Sequence, residues 1–317
     1  MEKRQLGKSG LQVAPWALGG NVFGWTIDEK QSFQVLDAFV DQGFNLVDTA
    51  NMYSTWAPGN QGGESETIIG RWLNKSGKRD KIVLATKVGM EMGDGSSGLK
   101  KDYILKSVED SLKRLQTDHV DLYQSHQDDA DTPIEETLSA YDQLVKDGKV
   151  RAIGASNFDA DRLKQSLDLA QSSGLPVYVS LQPEYNLYDR EDYETKLEPL
   201  CLAENLGVIS YYSLASGFLT GKYRSEADLS KSQRGGGIGE KYLNPRGEKI
   251  LSALDQVAKE QSTEPAMISL AWLMNRKSIT APIASATKVE QVEELAKAAA
   301  IKLTDSQVKT LDEASAY

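Results

Sequence analysis

The sequence has one cysteine and two histidines in 317 residues. A single thiol, Cys201, rules out an intrachain disulfide and fits a reducing cytoplasm. It falls in an apparent helix and reads as a buried core thiol rather than a nucleophile. Positive charge is also scarce. The 36 basic residues face 46 acidic ones, a net charge of −10. That balance argues against nucleic acid or an anionic membrane as partner. It leaves room for an anionic cofactor, because a few Lys side chains and backbone N–H groups bind phosphate on an acidic protein. No apolar run is long enough to span a bilayer. The first ten residues, MEKRQLGKSG, lack the apolar core of a signal peptide. The expectation is a cytoplasmic protein acting on a small molecule, with no metal. Asn74-Lys75-Ser76 has the spacing of a glycosylation sequon, which means nothing in a cytoplasmic chain.

What is present is a repeating pattern. A short run rich in Val, Ile and Leu is followed by a polar loop, then an amphipathic helix, then often Gly. The runs cover 16–19, 44–48, 82–86, 120–124, 150–154, 177–182, 208–212 and 279–283. Several are too continuously apolar for strands with one wet face, so they read as a parallel sheet covered by helices. The intervening helices carry period 3.6, as in Ile104, Val108, Leu112 and Leu115, in Ile134, Leu138, Tyr141 and Val145, and in Phe33, Leu36 and Val40. Thr132-Pro133-Ile134-Glu135 reads as a capping box, and Asp28 with Gln31 as a looser one. Gly43, Gly148, Gly174 and Gly207 stand where helices end and a left-handed residue is expected.

Eight strands alternating with helices leave two choices, an open doubly wound sheet or a closed barrel. Polar residues recur at the strand ends: Asp48, Lys87, His126, Asn157, Gln182 and Tyr211. In a βα barrel these ends converge on one mouth; an open sheet would scatter them. The reading is one (β/α)8 barrel over 1–317, with residues 4–13 as a hairpin capping its floor. Residues 213–246 form a long polar, Gly-rich connection after the seventh strand, and a loop of that length is usually functional.

The chemistry at the mouth is coherent. A desolvated Lys87 needs a carboxylate, and Asp48 ends the neighbouring strand. Tyr53 lies in the loop over the mouth. A cation beside a phenol lowers its pKa and makes it a better proton donor. His126 can hydrogen-bond the phenol or a substrate oxygen. His119, before the fourth strand, reads as a solvated loop residue. Trp25, Trp56 and Met90 follow the first three strands and read as the substrate entrance. Gly235-Gly236-Gly237-Ile238-Gly239 lacks the spacing and the preceding strand of a dinucleotide fingerprint, and reads as a flexible loop. Arg234 beside it is a candidate phosphate contact.

The segment Phe44-Asn45-Leu46-Val47-Asp48-Thr49-Ala50-Asn51-Met52-Tyr53 resembles the part of the aldo-keto reductase family that carries the family's Asp and Tyr. Ala85-Thr86-Lys87 resembles its Lys strand, and Asp121-Leu122-Tyr123-Gln124-Ser125-His126 its His strand. Further family segments are similar to Gly63-Glu64-Ser65-Glu66, Gly154-Ala155-Ser156-Asn157-Phe158 and Gln182-Pro183-Glu184-Tyr185-Asn186. The resemblance is to the bacterial, long-loop type, near the branch that includes potassium-channel β subunits. It implies a catalytic tetrad of Asp48, Tyr53, Lys87 and His126. It also implies a nicotinamide cofactor held without a Rossmann domain. Ser156, Asn157 and Gln182 would hold the carboxamide, and Tyr211 would stack on the ring. The segment 212–222, with Ser213, Leu214, Gly217, Leu219 and Lys222, would clasp the pyrophosphate. Ser285, Lys288 and Gln291 would meet the adenosine phosphate. A helix N-terminus with Lys288 suits a 2′-phosphate and favours NADP(H) over NAD(H). Gln291 stands where many relatives have Arg, and Leu295 where Asn is frequent, so the preference stays open. The expected activity is reduction of an aldehyde or ketone, or its reverse. Two alternatives are a redox-sensing binding subunit with little turnover and an enzyme using Lys87 as a Schiff-base nucleophile.

Overall fold

The computed structural model describes residues 2–231 and 235–317. Strands β1 (Arg4–Gln5) and β2 (Gln12–Val13) form an antiparallel hairpin. Eight further strands follow: β3 (Ala17–Gly19), β4 (Leu46–Asp48), β5 (Val83–Val88), β6 (Val120–Ser125), β7 (Val150–Ser156), β8 (Ser180–Gln182), β9 (Gly207–Val208) and β10 (Ile283–Ala284). They pair in parallel in chain order from β3 to β9, with β10 beside β3. The ring closes between β9 and the approach to β10. Val208 bridges Ile279, and Ile283 N donates to Ser210 O at 2.7 Å. On the other flank Ala17 N donates to Pro282 O at 3.0 Å. The fold is therefore the expected α/β barrel with an N-terminal hairpin.

Two hydrophobic layers follow from the two-residue period of a strand. One set of positions faces inward: Ala17, Leu46, Ala85, Leu122, Ala152, Ile209, Ala281 and Ile283, joined by Leu6 and Val13 of the hairpin region. The alternate set, including Val47, Leu84, Tyr123, Ile153, Leu181 and Val208, packs under the helices. Leu6 and Val13 thus plug the floor of the barrel. The contact there is close. A Cβ on Gly7 (φ 53°) would stand 2.0 Å from Val179 O, and one on Gly207 would stand 2.7 Å from Gly7 N. Gly207 is needed for this approach and not for a left-handed turn, which Asn205 (φ 54°) supplies instead.

Other expectations hold or shift for identifiable reasons. Gly43, Gly148 and Gly174 have φ of 87°, 73° and 66°, as helix ends require. The Asp28 side chain caps its helix by accepting from Gln31 N at 2.8 Å. The box at Thr132 does not form. Thr132 Oγ1 donates to Asp129 Oδ2 at 2.7 Å, and Pro133 stands at the N-cap with no side-chain bond. The first barrel helix, Glu29–Asp41, buries Ser32, Val35, Leu36 and Phe39, so Phe33 and Val40 only flank its apolar face. Cys201 is buried, and burial pushes its thiol up to about 12.

The connection after β9 is more ordered than its composition suggests. It holds two 3-10 turns, Ala215–Thr220 and Glu226–Lys231, and a helix, Gly235–Tyr242. The glycine run expected as a flexible loop is thus helical. Glycine disfavours a helix, but Ile238 and Tyr242, one turn apart, are both buried, and Tyr242 stacks on Phe218 at 5.1 Å. Tertiary packing overrides propensity here. Arg234 lies outside the described residues.

Candidate active site

The same alternation places the polar mouth. Counting by twos from inward Leu46, Ala85, Leu122, Ala152 and Ile209 reaches Asp48, Lys87, Gln124, His126, Ser156 and Tyr211. The apolar interior therefore turns polar at the carboxyl ends of the strands, where barrel sites form. Tyr53 comes from the loop after β4. That loop is tied down by Asn51 N to Lys87 O at 3.2 Å and by Ser54 Oγ to Phe23 O at 2.9 Å.

Lys87 is fully buried. Its Nζ donates to Asp48 Oδ2 at 2.7 Å, to Thr49 O at 2.8 Å and to Tyr53 OH at 2.9 Å. Tyr53 OH lies 3.4 Å from the same Asp48 oxygen. Burial pulls the Lys87 ammonium below the usual lysine range, against the opposing pull of Asp48. The His126 ring stands 5.9 Å from the Tyr53 ring. Burial, and then the charge on Lys87, holds this imidazole well below its usual range, so it is neutral near pH 7. Its Nδ1 is buried without a partner.

The phenol departs from expectation. Burial, and then the charge of Asp48, pushes Tyr53 well above the ordinary tyrosine range. Lys87 was expected to lower it. Asp48 sits as close to that ammonium as the phenol does and offsets its charge, so desolvation decides the direction. The resting phenol is firmly protonated.

Around this centre runs a hydrogen-bonded arc. Ser156 Oγ donates to Gln182 O at 2.8 Å. Asn157 (φ 55°) donates to His126 O at 2.8 Å and accepts from Tyr211 OH at 2.8 Å. Gln182 Nε2 donates inward to Asp48 Oδ1 at 2.9 Å. Beyond β9, Ala215, Ser216 and Gly217 have positive φ in succession. Ala215 N and Gly217 N donate to Tyr212 O at 2.7 Å and Leu214 O at 2.8 Å, so two of these three N–H groups are already engaged. Lys222 Nζ lies beside Gly217 and 5.0 Å from the Tyr223 ring. Ser213 Oγ donates to Ser210 O, Leu214 is half-buried, and Leu219 is fully buried in the core. Beside β10, Ser285 Oγ donates to Asn21 Oδ1 at 2.6 Å. Exposed Lys288 is the N-cap of helix Val289–Ala296. Gln291 Oε1 accepts from Thr287 N at 2.8 Å, and Leu295 is buried.

Trp56 is 43% exposed and makes edge contacts with Trp25 at 5.6 Å and a tilted one with Tyr53 at 5.9 Å. Met90, two residues past β5, is half-buried. His119 is not the solvated residue expected. It lies at the opposite end of the barrel, only one-fifth exposed, with Nδ1 2.6 Å from Asp118. Two contributors escaped the sequence reading. Gln124 reaches Asp48 Oδ1 at 3.3 Å. Glu66, fully buried behind β5, accepts from Thr86 Oγ1 at 2.5 Å and Arg114 Nε at 2.7 Å. Inward parity would have found Gln124, two residues before His126. Among the described residues no group of three or more His, Cys, Asp or Glu is placed to hold a metal ion.

The family model described as the aldo/keto reductase family matches residues 15–316. The chain belongs to that family. Among its relatives is an uncharacterized oxidoreductase, YrpG, of Bacillus subtilis (strain 168), 36% identical over 99% of this chain and 95% of the relative. The aldo-keto reductase YhdN of the same organism is 34% identical over 98% of this chain and 93% of its own. A probable voltage-gated potassium channel subunit beta of Arabidopsis thaliana is 32% identical over 94% and 91%. This aldo-keto reductase is thus an oxidoreductase by family, with its polar cluster at the barrel mouth. No helix among its described residues is long and apolar enough to cross a membrane.

Proposed function

We propose that the protein reduces aldehydes or ketones with a nicotinamide cofactor, Tyr53 serving as the proton donor. The observation that carries this reading is the position of the fully buried Lys87 Nζ, within 2.9 Å of both Asp48 and the hydroxyl of the half-buried Tyr53. A bound dihydronicotinamide supplies a hydride. The protein's own groups do the rest. Tyr53 keeps its proton at rest, because burial disfavours the phenolate. As the carbonyl oxygen becomes alkoxide-like it turns more basic than a phenolate, and the proton moves to it. Lys87 then faces the tyrosinate, and Asp48 holds Lys87 in place. Neutral His126 has a ring nitrogen to offer the same oxygen.

The residues fit the cofactor. Ser156, Asn157, Gln182 and Tyr211 form one arc beside the mouth, and His126 Nδ1 is buried with a bond unmade. Lys222, alongside the turn at Ala215, Ser216 and Gly217, is the charge that would meet a pyrophosphate. Lys288 at a helix N-terminus favours NADP(H). Gln291 opposes it, since its carbonyl already takes the Thr287 N–H that an anion would use.

The test is a fluorescence titration with NADPH and NADH, followed by turnover against aldehydes, ketones, sugars and polyols. Binding with carbonyl reduction is expected. Failure of both dinucleotides to bind would end the proposal. The channel-subunit relative motivates a second reading, a redox-sensing partner. Tight NADPH binding with negligible turnover across the whole panel would favour it.

A further inference from the structure

The polar mouth rests on a row of side chains that the roles above leave unused. The strand register aligns Lys87 with Gln124, Gln124 with Gly154 and Gly154 with Ser180. Residues in one row share a face, so Gln124 points into the barrel beside Lys87. It is fully buried. Its Nε2 donates to Asp48 Oδ1 at 3.3 Å, and its Oε1 accepts from Gln182 Nε2 at 3.3 Å. Gln182 donates to the same Asp48 oxygen at 2.9 Å. Asp48 is therefore divided. Oδ2 serves Lys87 and Tyr53, and Oδ1 is held by two amides.

The row is shaped around this amide. A Cβ on Gly154 would stand 3.0 Å from Gln124 Cγ and 2.4 Å from Ser180 Oγ. Gly154 has ordinary strand φ, so it is small for space and not for conformation. A buried amide bonded at both its nitrogen and its oxygen under a catalytic carboxylate fixes a rotamer that water would otherwise randomise.

We infer that Gln124 is a positioning residue, which with Gln182 locks the Asp48 carboxylate so that Lys87 and Tyr53 meet in reactive geometry. The inference rests on the proposed carbonyl reduction. It adds a consequence: a group assigned to cofactor holding, Gln182, also braces Asp48, so cofactor site and proton donor share one amide pair.

Three measurements test it. Gln124→Met keeps the length and removes the amide. It should lower kcat about 10–100-fold, the worth of one hydrogen bond to a charged group, and weaken dinucleotide binding as well, because Gln182 loses its acceptor. Wild-type kcat in this variant overturns the inference. Gln124→Glu is a rescue with a signature. Protonated, the new carboxyl donates to Asp48; ionised, it repels Asp48 from about 3 Å. The variant should approach wild-type rate at acid pH and lose it as pH rises, a limb that the wild type lacks. A pH profile that superimposes on the wild type overturns the inference even if Gln124→Met fails to fold. The charged or titratable groups facing the pair are Asp48 from β4, Lys87 from β5, His126 past β6 and Tyr53 above, with Glu66 behind β5. The residues presented by β7 and β8, namely Gly154, Ser156, Ser180 and Gln182, are uncharged.

The third readout needs no turnover. The Lys87 ¹³Cε resonance, assigned by Lys87→Met, should titrate at higher pH in Gln124→Met than in wild type. An Asp48 stripped of one donor pulls harder on the ammonium. An unchanged titration sinks the inference whether or not the protein reduces carbonyls. A wild type without carbonyl reduction but with the shifted titration would instead remove the proposed function alone.

Discussion

Two buried carboxylates lie at opposite ends of the same barrel and behave differently. Asp121, near the start of β6, pairs with Arg79 at 2.9 Å and accepts from Arg151 at 2.8 Å and Leu84 N at 2.8 Å. Asp48, at the end of β4, accepts from Lys87 and Tyr53 on one oxygen and two glutamines on the other. The difference lies in the cations. Arg151 is 57% exposed and Arg79 18% at the side chain, while Lys87 has no exposure. Planar guanidiniums that keep contact with water hold a structural cluster at little desolvation cost. An ammonium with no water must be held by Asp48, a carbonyl and a phenol, and its pKa falls. The floor is a staple, and the mouth stores chemical potential. Both are buried ion clusters, so burial alone does not distinguish a site from a brace.

Mutations can break this contrast. Lys87→Met should do the most damage, because it removes the cation and leaves Asp48 buried and unpaired. Loss of one partner of a buried pair costs about 3–5 kcal/mol. Urea unfolding should show that loss, and single-turnover reduction should fall at least as far as in Tyr53→Phe. A stable, active Lys87→Met would make the mouth no different from a brace. Tyr53→Phe comes next. It should cut kcat about 10²–10⁴-fold, the range for a lost general acid, while melting temperature and dinucleotide binding hold. Asp121→Asn is the counterpart at the floor. It should cost about 1.5–3 kcal/mol of stability with kcat unchanged. A large fall in kcat at full stability would show that the floor communicates with the mouth.

Much of this contrast was legible in the sequence, for a simple reason. Strand period and parity are local, so the runs ending in Asp48 and Gln182, and the run that Lys87 follows, could be placed on strands that end at one mouth. Gln124 was legible too, since parity reaches it from His126, but it lies inside a strand and not at its end. Two things depended on distances that no spacing encodes. The glycine run at 235–239 is helical because Ile238 is buried, Tyr242 stacks on Phe218 and Gly239 lies close against Leu229. The direction of the Tyr53 shift turns on whether burial or Lys87 wins, and Asp48 at 2.7 Å from the ammonium tips the balance.

The smallest predicted effect is a pH dependence, and its sign can be worked out. His126 is held well below its usual range in the folded protein, first by burial and then by Lys87. In the unfolded chain it returns to about 6.5. Just below that pH the unfolded chain binds a proton that the native imidazole refuses. Stability therefore falls as pH drops through about 6.5, and it is fully present above it. Carboxylates titrate lower, so the window between about pH 5.5 and 7.5 reports on the histidines, and comparison with a His126 variant that keeps His119 isolates this imidazole. Urea midpoints across that window should drop more in wild type than in His126→Asn. The wild-type rate profile should show no step near 6.5, because the ring is already neutral. Equal drops in the two proteins would mean that water reaches the mouth as it reaches the floor's guanidiniums, and the distinction between the two carboxylates would lose its basis.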